Sequence, residues 1–229
     1  MSYFVSLLIY VFASIFFLFF GILILILTII YPPLLFRIII PWCKTMIYIF
    51  GCQIISNGKI PSNETFVIMA NHTSFLDVFA IPTVLTGKFS AVAASKNFKI
   101  PIYSTFLKKM KVVSIDRSNR TQAIKGIKKA EMLLKNGYHI VILPEGTRTD
   151  DGKLGKFKKG GFHLAINTHA KILPIITKGL YEIKPINRWT IKPGLITINV
   201  GNPIDAKNKK VDDLLEETRN QFTMMLDEN

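Results

Sequence analysis

Three short stretches carry most of the side chains that could do chemistry. The first, Asn71-His72-Thr73-Ser74-Phe75-Leu76-Asp77, sets a histidine ahead of an aspartate, directly after the apolar run Thr65–Ala70. The second is Asp116-Arg117, after Val112–Ile115. The third is Pro144-Glu145-Gly146-Thr147-Arg148, after His139–Leu143. An imidazole titrates near neutrality, so it can accept a proton at cell pH. A carboxylate on its other nitrogen fixes the tautomer and stabilises the imidazolium as it forms. A planar guanidinium such as that of Arg117 matches phosphate oxygens. Glu145, Gly146, Thr147 and Arg148 together could hold a polyol phosphate.

Each stretch also has a plainer reading. Across the five steps from His72 to Asp77 a continuous helix turns about 500°, leaving the two side chains about 140° apart. They can meet only if His72 sits on the turn before the helix and Asp77 in its first turn. Ser74-x-x-Asp77 is equally a capping box, in which the carboxylate reaches back to the cap N–H, and spacing alone favours the cap. Arg117 beside Asp116 could be a surface ion pair, and the Glu145–Arg148 stretch a polar turn after a buried strand. Lys96, after the apolar run Phe89–Ala94, is a further cation at a strand end or an ordinary surface lysine.

Other chemistries find less support. A hydrolase triad wants a Gly-x-Ser-x-Gly elbow, and the chain has none. Gly155-Lys156-Phe157-Lys158-Lys159-Gly160-Gly161 lacks the nucleotide-binding P-loop pattern. His163 and His169 are not at a ligand spacing, and His139 opens a buried strand. Cys43 and Cys52 both lie in an apolar segment, with no Cys-x-x-Cys and no zinc spacing. Neither a metal nor a tightly held cofactor is expected.

The surrounding elements must bring these residues together. Short β-branched runs alternate with helical patterns from about Gln53 onward. The strands are Thr65–Ala70, Phe89–Ala94, Val112–Ile115, His139–Leu143, Ile172–Thr177 and Leu195–Val200. A helical stripe through Ile124, Ile127, Ala130 and Leu134 stops at Asn136-Gly137, and a polar helix from Val211 to about Leu226 closes the chain. This alternation predicts an α/β domain with a mostly parallel sheet and helices on both faces. Open parallel sheets place their sites beyond the carboxyl ends of the strands, which is where all three stretches fall.

The chain has 229 residues, almost half of them hydrophobic, yet a formal net charge of +14. Segregation resolves the conflict: no charged side chain occurs before Arg37. The run Phe4–Ile30 exceeds the roughly 20 apolar residues that cross a bilayer. A second apolar segment follows Pro32-Pro33, carries Arg37, Trp42 and Lys44, and is interrupted by Pro41. Its cations and tryptophan suit the membrane–water boundary. The division is therefore residues 1–52 as a membrane-anchoring helical hairpin and residues 53–229 as the α/β catalytic domain. Positive charge after the apolar block places that domain on the cytoplasmic side. An anionic bilayer surface explains the basic balance better than nucleic acid, for which no recognition signature is present.

With four motifs in order, the chain resembles the glycerolipid acyltransferases that include 1-acyl-sn-glycerol-3-phosphate acyltransferases. The motifs are Asn71–Asp77, Asp116-Arg117, Pro144–Arg148 and Leu173-Pro174-Ile175, within about residues 50 to 200. Mild departures are Ser114-Ile115, Leu143 and Thr149, where members often carry bulkier apolar residues, phenylalanine and serine. The resemblance implies His72 as general base on the free sn-2 hydroxyl of lysophosphatidate, with Asp77 orienting it. The donor would be acyl-CoA or acyl carrier protein. Arg117 and Lys96 would hold the acceptor phosphate, Glu145 to Arg148 the glycerol and phosphate, and Pro174 would shape the acyl path. Other acceptors, namely glycerol 3-phosphate, another lysophospholipid or an amino-acid lipid, fit the same motifs. A lipid hydrolase or thioesterase and a non-enzymatic lipid-binding protein are the readings from other classes.

Overall fold

The computed structural model describes residues 2–116 and 119–228. Arg117 therefore lies outside the described residues. The uncharged run folds as one helix, α1 (Tyr3–Ile30), capped by Ser2, whose Oγ accepts from the Val5 N–H. It is long and apolar enough to cross a membrane. Its inward stripe is Ser6, Ala13, Gly21, Ile24 and Thr28, mostly small, while Phe4, Phe12, Ile15 and Phe19 face outward.

After the Pro32-Pro33 break comes α2 (Leu35–Ile49), which runs through Pro41 without stopping. Proline removes one helical hydrogen bond at a cost of about 3 kcal/mol. Burial of Leu35, Ile39, Trp42, Cys43, Met46 and Ile47 on one stripe offsets it, since a fully buried large apolar side chain gains about 1.5–3 kcal/mol.

Next come β1 (Gln53–Asn57), β2 (Val67–Ala70), α3 (Asp77–Ala80), β3 (Lys88–Ala94), α4 (Tyr103–Lys109), β4 (Val113–Ile115) and α5 (Arg120–Lys135). The chain continues through β5 (Tyr138–Ile142), α6 (Gly160–Thr168), β6 (Ile172–Lys178), α7 (Leu180–Ile183), β7 (Leu195–Val200) and α8 (Val211–Asp227). One sheet holds the strands in the order β1-β7-β6-β2-β5-β3-β4. From β6 to β4 all neighbours are parallel; β7 is antiparallel to β6, and β1 is parallel to β7. The expected α/β architecture is what the chain adopts. The strand β1 has no counterpart in the sequence reading, because it is an edge strand with mostly exposed side chains and shows no alternation.

Alternation on the central strands builds two cores. Phe66, Ile68, Ala70, Leu173 and Ile175 point to the face covered by α1 and α2. Val67, Met69, Ile140, Ile172 and Ile176 point to the face covered by α5, α6 and α8. The first core runs without a break from Trp42 and Met46 of α2 into the sheet, so the helical hairpin packs as a layer of the fold. Two packed faces hold the parallel strands rigid, and their carboxyl ends present β2, β5 and β6 side by side.

Candidate active site

The chain leaves β2 through Asn71, whose amide is bolted to the end of β6. Asn71 Oδ1 accepts from the Thr177 N–H at 2.8 Å and from Thr177 Oγ1 at 3.1 Å, and Asn71 Nδ2 donates to the Thr177 carbonyl at 2.9 Å. That staple fixes where the next residue begins. His72 then sits in the open turn and Asp77 opens α3, the one arrangement that lets residues at this spacing meet. His72 Nδ1 lies 2.6 Å from Asp77 Oδ2. The same oxygen accepts from the Thr73 N–H at 3.0 Å and the Ser74 N–H at 3.1 Å. An oxygen receiving two backbone N–H groups is the acceptor in its third bond too, so the hydrogen belongs to His72 Nδ1 and Nε2 keeps its lone pair. The imidazole is 23% exposed and the carboxylate 2%, so the carboxylate is sealed from water while the ring stays partly accessible.

Half of the capping box is present. Asp77 does reach back to the Ser74 N–H, but the Ser74 hydroxyl accepts from the Leu76 N–H and donates to the Lys184 carbonyl at 2.8 Å. Capping and pairing are thus the same carboxylate oxygen serving both tasks.

The Glu145 stretch turns out to be a brace. Glu145 is 4% exposed. Its Oε1 accepts from the His72 N–H at 2.8 Å and its Oε2 from the Gly155 N–H at 2.7 Å. Both oxygens are engaged with backbone, so Glu145 positions His72. Burial pushes its carboxyl above the ordinary value, and the two N–H bonds pull it back. A Cβ at Gly155 would lie 2.8 Å from Glu145 Oε2 and push that carboxylate oxygen aside. Arg219 of α8 in turn holds the Gly155 and Leu154 carbonyls at 2.6 and 3.2 Å. Gly146 makes the turn with a φ of 77°, a left-handed conformation that other residues adopt at a cost. The Thr149 N–H closes the circuit by donating to the His72 carbonyl at 2.9 Å.

The other expected residues fall in different places. Thr147 is exposed and Arg148 half-buried, both in the turn after β5. Lys96 is exposed in the single turn of 3-10 helix that follows β3. Pro174 is a strand residue. It lies buried within β6, paired with Met69, on the α8 face; its carbonyl accepts from Gly201 N–H, and its ring would meet any Cβ at Gly201. It shapes the sheet there, within β6, whereas His72 sits past the strand ends.

Lys184 and Arg188 belong to the site's surroundings and have no place in the sequence reading. They follow the carboxyl end of β6, which is a parallel strand like β2 and β5, and that position was the available signal.

The acyltransferase family model matches residues 52–178, more than half of the chain, and takes in the Asn71–Asp77, Asp116-Arg117, Pro144–Arg148 and Leu173–Ile175 motifs. The chain belongs to the acyltransferase family. It is 30% identical over 184 residues to the 1-acyl-sn-glycerol-3-phosphate acyltransferase of Cocos nucifera, covering 80% of this chain and 58% of that protein. It is 32% identical over 179 residues to the protein of the same name from Pseudomonas aeruginosa, covering 73% of this chain and 67% of that one. The chain therefore spans little more than half the length of the coconut relative. The crystal structure of the 1-acyl-sn-glycerophosphate acyltransferase PlsC from Thermotoga maritima shares the fold, with a TM-score of 0.83 over 98% of this chain and 95% of that one at 24% identity.

Proposed function

We propose that this acyltransferase transfers a fatty acyl group from a thioester donor, acyl-CoA or acyl carrier protein, to the sn-2 hydroxyl of a 1-acylglycerol 3-phosphate, giving phosphatidate. The observation that carries this reading is the 2.6 Å contact of His72 Nδ1 with Asp77 Oδ2, which leaves Nε2 to act as the base toward the acceptor hydroxyl. His72 Nε2 takes the proton of the acceptor hydroxyl as its oxygen bonds to the thioester carbonyl carbon. Asp77 stabilises the imidazolium formed. When the tetrahedral species collapses, the carbon–sulfur bond breaks and the thiolate takes the proton from His72, restoring the base. Glu145 and the Asn71–Thr177 staple hold His72 still, so that little of the barrier goes into orienting it. No cofactor has a part in these steps. Arg148, with Arg117 and Lys96, holds the acceptor phosphate.

The α1–α2 hairpin supports a membrane setting, since acceptor and product are lipids and α1 offers an apolar outer face. In this reading the catalytic domain faces the cytoplasm and its +14 charge draws it to anionic lipid and to the anionic donor. The test is an acyl-transfer assay with the purified full chain and oleoyl-CoA. Lysophosphatidate, glycerol 3-phosphate or water alone is supplied as acceptor. Phosphatidate formed with lysophosphatidate, and no acyl release in water, is the expected result. Acyl release without acceptor would make the protein a thioesterase.

A further inference from the structure

Lys184, Arg148 and Arg188 bring positive charge together beside the His72 turn. Lys184 is 8% exposed. Its carbonyl holds Ser74 Oγ at 2.8 Å, and its ammonium lies 5.9 Å from the ring centre of Phe75, the next residue. The acceptor for Nζ is the Pro185 carbonyl at 2.9 Å. Among the described residues no ion pair includes Lys184, Arg148 or Arg188. Burial pushes the Lys184 ammonium below its ordinary pKa, and the charges of Arg148 and Arg188 push it further the same way.

Two tethers bring this charge to the base. Ser74, bonded to the Lys184 carbonyl, shares the Asp77 carboxylate oxygen with His72. Arg148 directly precedes Thr149, whose N–H donates to the His72 carbonyl at 2.9 Å. Arg188 is held in place by its own bonds to the Glu182, Ile183 and Thr190 carbonyls. The loop that bears it is pinned to α1: Tyr10 Oη donates to the Trp189 carbonyl at 2.9 Å, and the Ile191 N–H donates to Ser6 Oγ at 3.2 Å.

A buried ammonium among like charges is costly unless something negative joins it. We propose that Lys184, together with Arg148, is a ligand for the phosphate group of the lysolipid acceptor, with Arg188 held nearby as a fixed charge by the loop clamped to α1. The inference rests on the acyl-transfer reading and adds to it a specificity residue. Phosphate is also present in the donor, so the experiment separates the two sources.

Full-length wild type, Lys184→Met and Lys184→Arg are compared in detergent with lysophosphatidate and with phosphate-free 1-monoacylglycerol, each titrated against oleoyl-CoA. Loss of one charge-assisted hydrogen bond to phosphate lowers kcat/KM by about 10- to 100-fold. The expected result is that Lys184→Met shows this loss for lysophosphatidate through KM, with preference over 1-monoacylglycerol falling by the same factor, and that Lys184→Arg recovers most of it. A loss carried by the oleoyl-CoA KM would assign Lys184 to the donor, and an equal loss with both acceptors would make it structural; either overturns the proposal. The thermal midpoint with added glycerol 3-phosphate reads the site independently of turnover. It should rise for wild type and not for Lys184→Met, and an equal rise in both also overturns the proposal. If wild type transfers no acyl group, the function fails, and this shift still decides the anion site.

Discussion

The His72 turn and the Lys184 corner sit side by side and are built on opposite rules. Around His72, carboxylates meet donors: Asp77 takes three on one oxygen and Glu145 takes one on each. At the corner, no ion pair among the described residues includes Lys184, Arg148 or Arg188. The first arrangement spends hydrogen bonds to hold a base in one orientation before substrate arrives, which is where electrostatic preorganisation resides. The second keeps positive charge unneutralised, at a cost in stability, so that an incoming anion is the missing partner. A transfer site for a hydroxyl on a phosphate-bearing lipid needs both: a base that does not move and a grip that is not already filled.

The contrast can be broken residue by residue. Asp77→Asn should have the largest effect of the supporting changes. Its amide oxygen can accept the same three bonds but carries no charge to stabilise the imidazolium, so kcat should fall by about 10²–10⁴-fold, with about 1–3 kcal/mol of stability lost as charge-assisted bonds become neutral ones. Paired turnover and denaturant unfolding measure the two losses. Glu145→Gln comes next. One of its two accepted bonds becomes an N–H facing an N–H, so a thermal melt should register about 1–3 kcal/mol of destabilisation. The accompanying fall should be in kcat with little change in KM, since Glu145 acts through His72. A pure KM effect would return it to the substrate. Lys184→Met should have the smallest effect on the fold. Replacing a buried charge with an apolar side chain of similar volume is often neutral or stabilising, so its thermal midpoint should hold or rise. A drop as large as that of Glu145→Gln would erase the distinction between the two regions.

Much of this was legible in the sequence where a residue's neighbours in the chain are also its neighbours in space. The His72–Asp77 contact follows from a turn and the first residue of a short helix, so spacing alone limits how the two can meet. The central strands announce themselves as unbroken β-branched runs because both their faces are covered. The bracing of His72 by Glu145 was not legible because its partners, the His72 and Gly155 N–H groups, are backbone, and no sequence pattern marks a backbone donor. The face on which Pro174 packs was not legible because it is set by sheet register. Lys184 and Arg188 lie in a loop held by α1, a contact across most of the chain's length, and only the fold brings them to the base. Pro41 stayed inside α2 because tertiary burial outweighs a local break.

The most direct test of the central claim is His72→Ala, assayed for phosphatidate from oleoyl-CoA and lysophosphatidate at saturating concentrations of both, with its thermal midpoint taken alongside. The account predicts a fold that melts with the wild type and a turnover reduced at least about 10³-fold, within the usual worth of a positioned base. Turnover near the wild-type rate in that variant would contradict it.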